Sequence, residues 1–224
     1  MTFRRAAAGA GLATWLVAAL GAMPANAQTV ARLQNSVAVF DEAMKMDDRS
    51  IPEDLLRKAQ CIAIVPGLKK GAFVVGAKYG RGFVSCRTAT GWSAPAGVKV
   101  EGGSVGFQIG GAEVDVILAI MSSRGVERLL SNEFTLGADA SVAAGPVGRT
   151  AAAQTDAAMT AEILSWSRSR GVFAGVSLEG ATLRGDDEAN LDLYGRRLDM
   201  RTIVTGGAPV PVSALPLITR LSKY

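Results

Sequence analysis

The chain contains no histidine. That absence removes Ser-His-Asp and Cys-His nucleophilic catalysis, His-ligated zinc and the usual proton shuttle at neutral pH. Cysteine is nearly absent too: Cys61 and Cys86 stand alone and are too few for a structural zinc site. Two motifs of nucleotide and ester chemistry are approached and missed. Gly175-Val176-Ser177-Leu178-Glu179-Gly180 would be a nucleophile elbow if Glu179 were glycine. Gly71-x4-Gly76-Ala77-Lys78 would be a phosphate loop if the lysine followed Gly76 directly. Ser-x-x-Lys does not occur. Paired carboxylates remain. Glu113 and Asp115, two apart, share one face of a strand, and Glu179 could meet Asp186. Such pairs are common on solvated faces, so no catalytic or metal-binding residue is assigned and no cofactor is expected.

What is present begins with an export signature. Arg4 and Arg5 precede the uncharged stretch from Ala6 to Ala22, and Ala25-Asn26-Ala27 has the small-x-small form of a cleavage site. The expectation is a signal peptide over 1–27, cut after Ala27, and a single domain over 28–224 that works in the periplasm or cell envelope. A retained anchor is the alternative, at the short end of the roughly 17–25 apolar residues that span a bilayer. In an oxidising compartment Cys61 and Cys86 are expected to form a disulfide; the alternative is two small buried thiols.

Val30, Leu33, Val37, Phe40 and Met44 recur at steps of three and four, which predicts a helix over Thr29–Lys45. Ser50 is placed to cap a short helix ending near Ala59. From Cys61 onward, Val/Ile/Phe runs alternate with glycine, the pattern of strands and turns. The expected strands are Cys61–Val65, Ala72–Tyr79, Gly82–Arg87, Ala94–Val100, Ser104–Ile109, Val114–Met121, Phe134–Ala144, Ala161–Arg168 and Val172–Leu183. Tight turns are expected after Pro66-Gly67, at Gly80-Arg81 and at Gly102-Gly103. Short helices follow Ser122-Ser123 and Gly185-Asp186-Asp187, and a last one covers Ala214–Ser222. The fold class is α+β: a mostly antiparallel, Gly-rich sheet, curling toward a barrel, with N-terminal and C-terminal helices.

Charge is unevenly distributed. Between Leu55 and Val100 stand Arg57, Lys58, Lys69, Lys70, Lys78, Arg81, Arg87 and Lys99, with no Asp or Glu among them. Without Arg4 and Arg5, 22 basic residues face 20 acidic ones, a net of +2. The basic pI therefore does not argue for nucleic acid. A basic face attracts anionic membrane at about 1 kcal/mol per Lys or Arg; edge-strand protection by lysine is the alternative. The first helix carries Arg32, Lys45 and Arg49 against Asp41, Glu42, Asp47 and Asp48, which favours packing on the core over lying in a membrane surface.

Four blocks then carry a resemblance. Ala63–Gly76 (AIVPGLKKGAFVVG), Gly103–Gly111 (GSVGFQIGG), Phe134–Arg149 (FTLGADASVAAGPVGR) and Ser169–Ala181 (SRGVFAGVSLEGA) follow one another as in the SYLF-domain family, which the chain resembles over roughly Leu33 to Tyr194. The resemblance implies a lipid-binding domain without catalytic activity; eukaryotic relatives bind phosphoinositides and some bundle actin. One departure is that the N-terminal helix here is not basic, as it is in some lipid-binding relatives. The expected function is therefore binding of anionic phospholipid, or a membrane surface, at the envelope. Lys69, Lys70, Lys78 and Arg81 are the candidate contacts, on exposed turns where reversal of Lys69, Lys70 and Arg81 should leave the thermal transition nearly unchanged. The alternative is a structural or protein-interaction module with an envelope protein partner.

Overall fold

The structure is a computed structural model that describes residues 24–45, 50–131, 134–147, 160–169, 172–175, 178 and 180–224. The proposed signal segment, apart from Pro24–Ala27, and Glu179 lie outside these residues. The elements in order are α1 (Ala25–Lys45), α2 (Glu53–Lys58), β1 (Cys61–Thr88), β2 (Gly91–Trp92), β3 (Ala96–Ile120), α3 (Ser123–Leu129), β4 (Phe134–Thr135), β5 (Val142–Ala144), β6 (Ile163–Ser169), β7 (Val172–Gly175) and β8 (Thr182–Gly185). Then come α4 (Asp187–Tyr194), α5 (Met200–Thr202), which runs into a wide turn over Ile203–Gly207, and α6 (Leu215–Leu221). Among the described residues the eight strands form one sheet in which the β5–β6 pair alone is parallel. This is the α+β architecture expected from the sequence. Among the described residues no single helix is long and apolar enough to cross a membrane.

Two strands dominate. β1 and β3 pair antiparallel from Cys61↔Ile120 to Val84↔Ala96. The expected turns at Gly80-Arg81 and Gly102-Gly103 do not exist: Lys78 pairs with Gly102, Gly80 with Val100 and Arg81 with Lys99 inside one continuous ladder. The turn expected after Pro66-Gly67 is a bulge, where the register shifts between Val65 and Leu68 and Gly67 takes φ 60°. Six expected strands are thus segments of two.

Gly80 and Gly82 of β1 serve close approach rather than turning. β1 bends back over itself, and a Cβ on Gly82 would lie 2.1 Å from the Ile64 carbonyl oxygen. One on Gly80 would lie 2.7 Å from Val65 Cγ1. Only a residue without a side chain allows this crossing. The bend also carries Cys86 to Cys61, which form a disulfide across 25 residues of one strand.

Around Cys61–Val65 both faces of the sheet are covered, which is why that stretch reads as an unbroken apolar run. Cys61, Ala63, Val65, Val116, Leu118 and Ile120 point to one core, closed by α3 and the wide turn. Ile62, Ile64, Ile117 and Ala119 point to the other, under α1 and α6. α1 buries Thr29, Leu33, Ser36, Val39, Phe40 and Ala43, a stripe turned from the expected one, with Val37 and Met44 at its margin. The polar members of this stripe are satisfied: Thr29 Oγ1 donates to Asp192 of α4 at 2.7 Å, and Ser36 Oγ donates within the helix to the Arg32 carbonyl at 3.0 Å. α1 packs on the core, as its charge balance suggested. Ser122 caps α3 by accepting from the Gly125 N–H, whereas Ser50 does not cap α2, whose N-cap is Pro52 with no side-chain bond. The strand expected over Phe134–Ala144 is interrupted at Gly137, φ 89°. That expected over Val172–Leu183 is likewise divided, with Gly180 at φ 74°.

Candidate functional site

The four basic candidates fall on β1, not on loop tips. Lys69 is exposed and stands opposite Glu113 on the ladder. Lys70 is half-buried. Its ammonium is held below the ordinary lysine range by burial and then by the nearby Lys78. The two lysines therefore sit in each other's field, which disfavours the charge on Lys70.

Arg81 has a different environment. Its Nε and Nη2 reach Asp186 at 2.5 and 2.7 Å, and Nη2 reaches Glu188 at 3.1 Å. Lys99 Nζ joins the same carboxylates at 3.4 and 3.8 Å. Asp186 is fully buried and also caps α4 by accepting from Ala189 N–H. Burial pushes its carboxyl up. The Arg81 hydrogen bonds, the Ala189 N–H and the charges of Arg81 and Lys99 outweigh that, and it titrates below the usual carboxylate range. Arg81 is thus a clasp holding α4 to the sheet, and the expectation that it could be reversed at no thermal cost is corrected.

The segregated charge of the sequence is partly neutralised in three dimensions for the same reason. Acids from outside the basic window fold onto it. Arg57 pairs with Glu53 and Asp54 on α2. Arg87 donates to the carbonyls of Leu56 and Ala59 and lies 4.5 Å above the Trp92 ring. Lys69 and Lys70 form no ion pair among the described residues.

A second feature lies beside α1. A groove of about 460 Å³ runs between Gln28, Arg32 and Asn35 on α1 and the Pro66-Gly67 bulge. Glu113, Asp115 and Arg168 form its far wall. Glu113 and Asp115 share a face, as their spacing implied, and Asp115 has a structural duty: it accepts from Gly67 N–H at 2.9 Å and from Arg168. Arg168 also pairs with Glu42 of α1. Burial, and then the charge of Glu113, raises the Asp115 carboxyl above its ordinary range despite the Gly67 N–H. Among the described residues no group of His, Cys, Asp and Glu could hold a metal ion.

A family profile described as Ysc84, the Las17-binding protein actin regulator, matches residues 101–224. The chain belongs to the Ysc84, or SYLF-domain, family. Among its relatives are Protein YSC84 of Saccharomyces cerevisiae, 35% identical over 182 residues, covering 79% of this chain and 38% of the relative. SH3 domain-containing YSC84-like protein 1 of Homo sapiens is 35% identical over 179 residues, covering 79% of this chain and 52% of the relative. LAS seventeen-binding protein 3 of Saccharomyces cerevisiae is 35% identical over 182 residues, with 79% and 39% covered. The chain thus spans about half, or less, of the length of these relatives. None of these three names states a catalysed reaction.

The sequence assigned no site role to Arg32, Arg168 or Asp186: Arg32 entered only the charge balance of the first helix, and Asp186 only as a carboxylate that Glu179 could meet. The helical spacing of Gln28, Arg32 and Asn35, with Ala31 and Ala38 alongside, was the available sign of a second working face on α1.

Proposed function

We propose that this SYLF domain is an exported, non-enzymatic module that binds anionic phospholipid at the cell envelope through Lys69, Lys70 and Lys78 on β1. The observation that supports this reading is the Lys70–Lys78 pair. Two ammonium groups are held within each other's field, one of them half-buried, and no carboxylate pairs with Lys70 among the described residues. Phosphate groups of a membrane surface would relieve that repulsion. Arg81, committed to Asp186, contributes to the fold beneath the patch. Three lysines at about 1 kcal/mol each give about 3 kcal/mol, roughly a hundredfold in partitioning at low salt.

The test is co-sedimentation with vesicles of phosphatidylglycerol in phosphatidylcholine. Binding is expected to fall as salt shortens the screening length from about 10 Å at 0.1 M to about 3 Å at 1 M. The variant K69E/K70E/K78E is expected to fold and to lose binding. A folded variant that still sediments as wild type does would refute the patch. The names of the relatives favour a second reading, a protein-binding module. Salt-insensitive or absent vesicle binding by the wild type would move the weight there.

A further inference from the structure

We propose that the groove between α1 and the Gly67 bulge binds an aminoalkyl phosphate: a small zwitterion with a phosphate at one end and a primary ammonium at the other. The groove is set apart from the lysine patch by its composition. Its charged side chains are of both signs, and they divide into satisfied and unsatisfied. Arg168 and Asp115 satisfy one another, with Glu42 as third partner. Arg32 and Glu113 are left without an ion pair among the described residues.

Arg32 is the anion-seeking end. Its Nη1 is enclosed and has no hydrogen-bond partner. Burial, and then the charge of Arg81, disfavours its cationic form, and the opposing charges of Asp186 and Asp192 offset this only in part. A guanidinium stays protonated regardless, so an anion entering the groove at Nη1 would recover free energy that those carboxylates leave unrecovered. Asn35 and Gln28, one turn to either side on the same face of α1, bring further N–H donors to the groove. Several donors along one helix face suit a group with several acceptor oxygens, which favours phosphate.

Glu113 is the cation-seeking end. Its Oε1 lies over the bulge, where a Cβ at residue 67 would stand 2.6 Å from it. Glycine at position 67 therefore leaves room for the carboxylate on the groove's floor. Lys69 is its ladder partner yet forms no ion pair with it. A compact ligand whose phosphate meets Arg32 and whose ammonium meets Glu113 would complete both. A free metabolite and a phospholipid headgroup share this chemistry.

Isothermal titration of the purified protein with O-phosphoethanolamine, inorganic phosphate and ethanolamine tests it. Saturable binding of O-phosphoethanolamine is expected, about tenfold or more tighter than either half alone. Arg32→Gln should weaken O-phosphoethanolamine and phosphate together. Glu113→Gln, on an exposed side chain, should bring O-phosphoethanolamine down to the level of phosphate. The variant K70E/K78E, which keeps Lys69 opposite Glu113, should titrate as wild type does, which separates this site from the lysine patch. Capture on phosphatidylethanolamine vesicles would assign the ligand to a lipid; soluble binding without capture would assign it to a free metabolite. No saturable binding, equal affinity for phosphate and O-phosphoethanolamine, an unchanged E113Q, or loss in the lysine variant would overturn the proposal.

Discussion

Replacing Arg81 with methionine would leave the side-chain volume roughly intact and strip Asp186 of its principal partner. Asp186 is fully buried, so water cannot substitute. Lys99 remains at 3.4 Å, with one contact where Arg81 makes two. Removing one member of a buried pair costs about 3–5 kcal/mol; with Lys99 still in place, about 3 kcal/mol is expected. For a domain of this size that corresponds to a fall in Tm of about 6–12 °C. Thermal unfolding followed by circular dichroism at neutral pH reads it directly. The pH dependence supplies a second reading. Because the folded carboxyl lies below its unfolded value of about 3.9, its contribution to stability is complete above that value and is lost as pH falls through the folded value. In R81M the Asp186 carboxyl rises, so the acid limb of the stability curve should move to higher pH. The double variant R81M/D186L should recover part of the loss, since no buried charge is left uncompensated. A single variant melting within about 2 °C of wild type, with an unmoved acid limb, would refute the clasp.

The crossing of β1 gives a sharper steric test. Gly82→Ala would place a methyl 2.1 Å from the Ile64 carbonyl oxygen, so loss of more than about 3 kcal/mol, or failure to accumulate as folded protein, is expected. Soluble G82A with a wild-type melting curve would exclude the close approach. Removing the Cys61–Cys86 bond by C61A/C86A should lower stability by about 2–4 kcal/mol. Addition of reductant should then shift the wild-type melting temperature and leave the variant's unchanged; a wild type indifferent to reductant would contradict the bond.

The fold class, the helical ends and the disulfide were legible because each rests on local pattern. Val/Ile alternation marked the strands, Leu33 and Phe40 marked the helix, and an even cysteine pair marked the bond. Strand connectivity was not legible, since Gly80 and Gly102 look the same in sequence whether they turn the chain or let another strand cross it. The basic window was legible as composition, yet its meaning was decided by residues far along the chain. Asp186 and Glu188 answer Arg81 and Lys99, and nothing near residue 81 announces them. The α1 groove was hidden for a related reason. Its walls come from α1, β1, β3 and β6, and one segment shows at most the Glu113–Asp115 spacing or the Gln28, Arg32, Asn35 face, never the two together.

A disulfide whose two cysteines lie on one strand has a consequence for the order of assembly. An extended β1 holds Cys61 and Cys86 far apart, at about 3.3 Å per residue, and neither zipping β1 against β3 from the 89–95 loop nor adding the outer strands brings them together. Only the bend that lays Gly82 on Ile64 does so. Oxidation of this pair is therefore a chemical clock for the fold-back: thiol trapping during refolding, timed against the appearance of β-structure, would date the moment at which a flat hairpin becomes this domain.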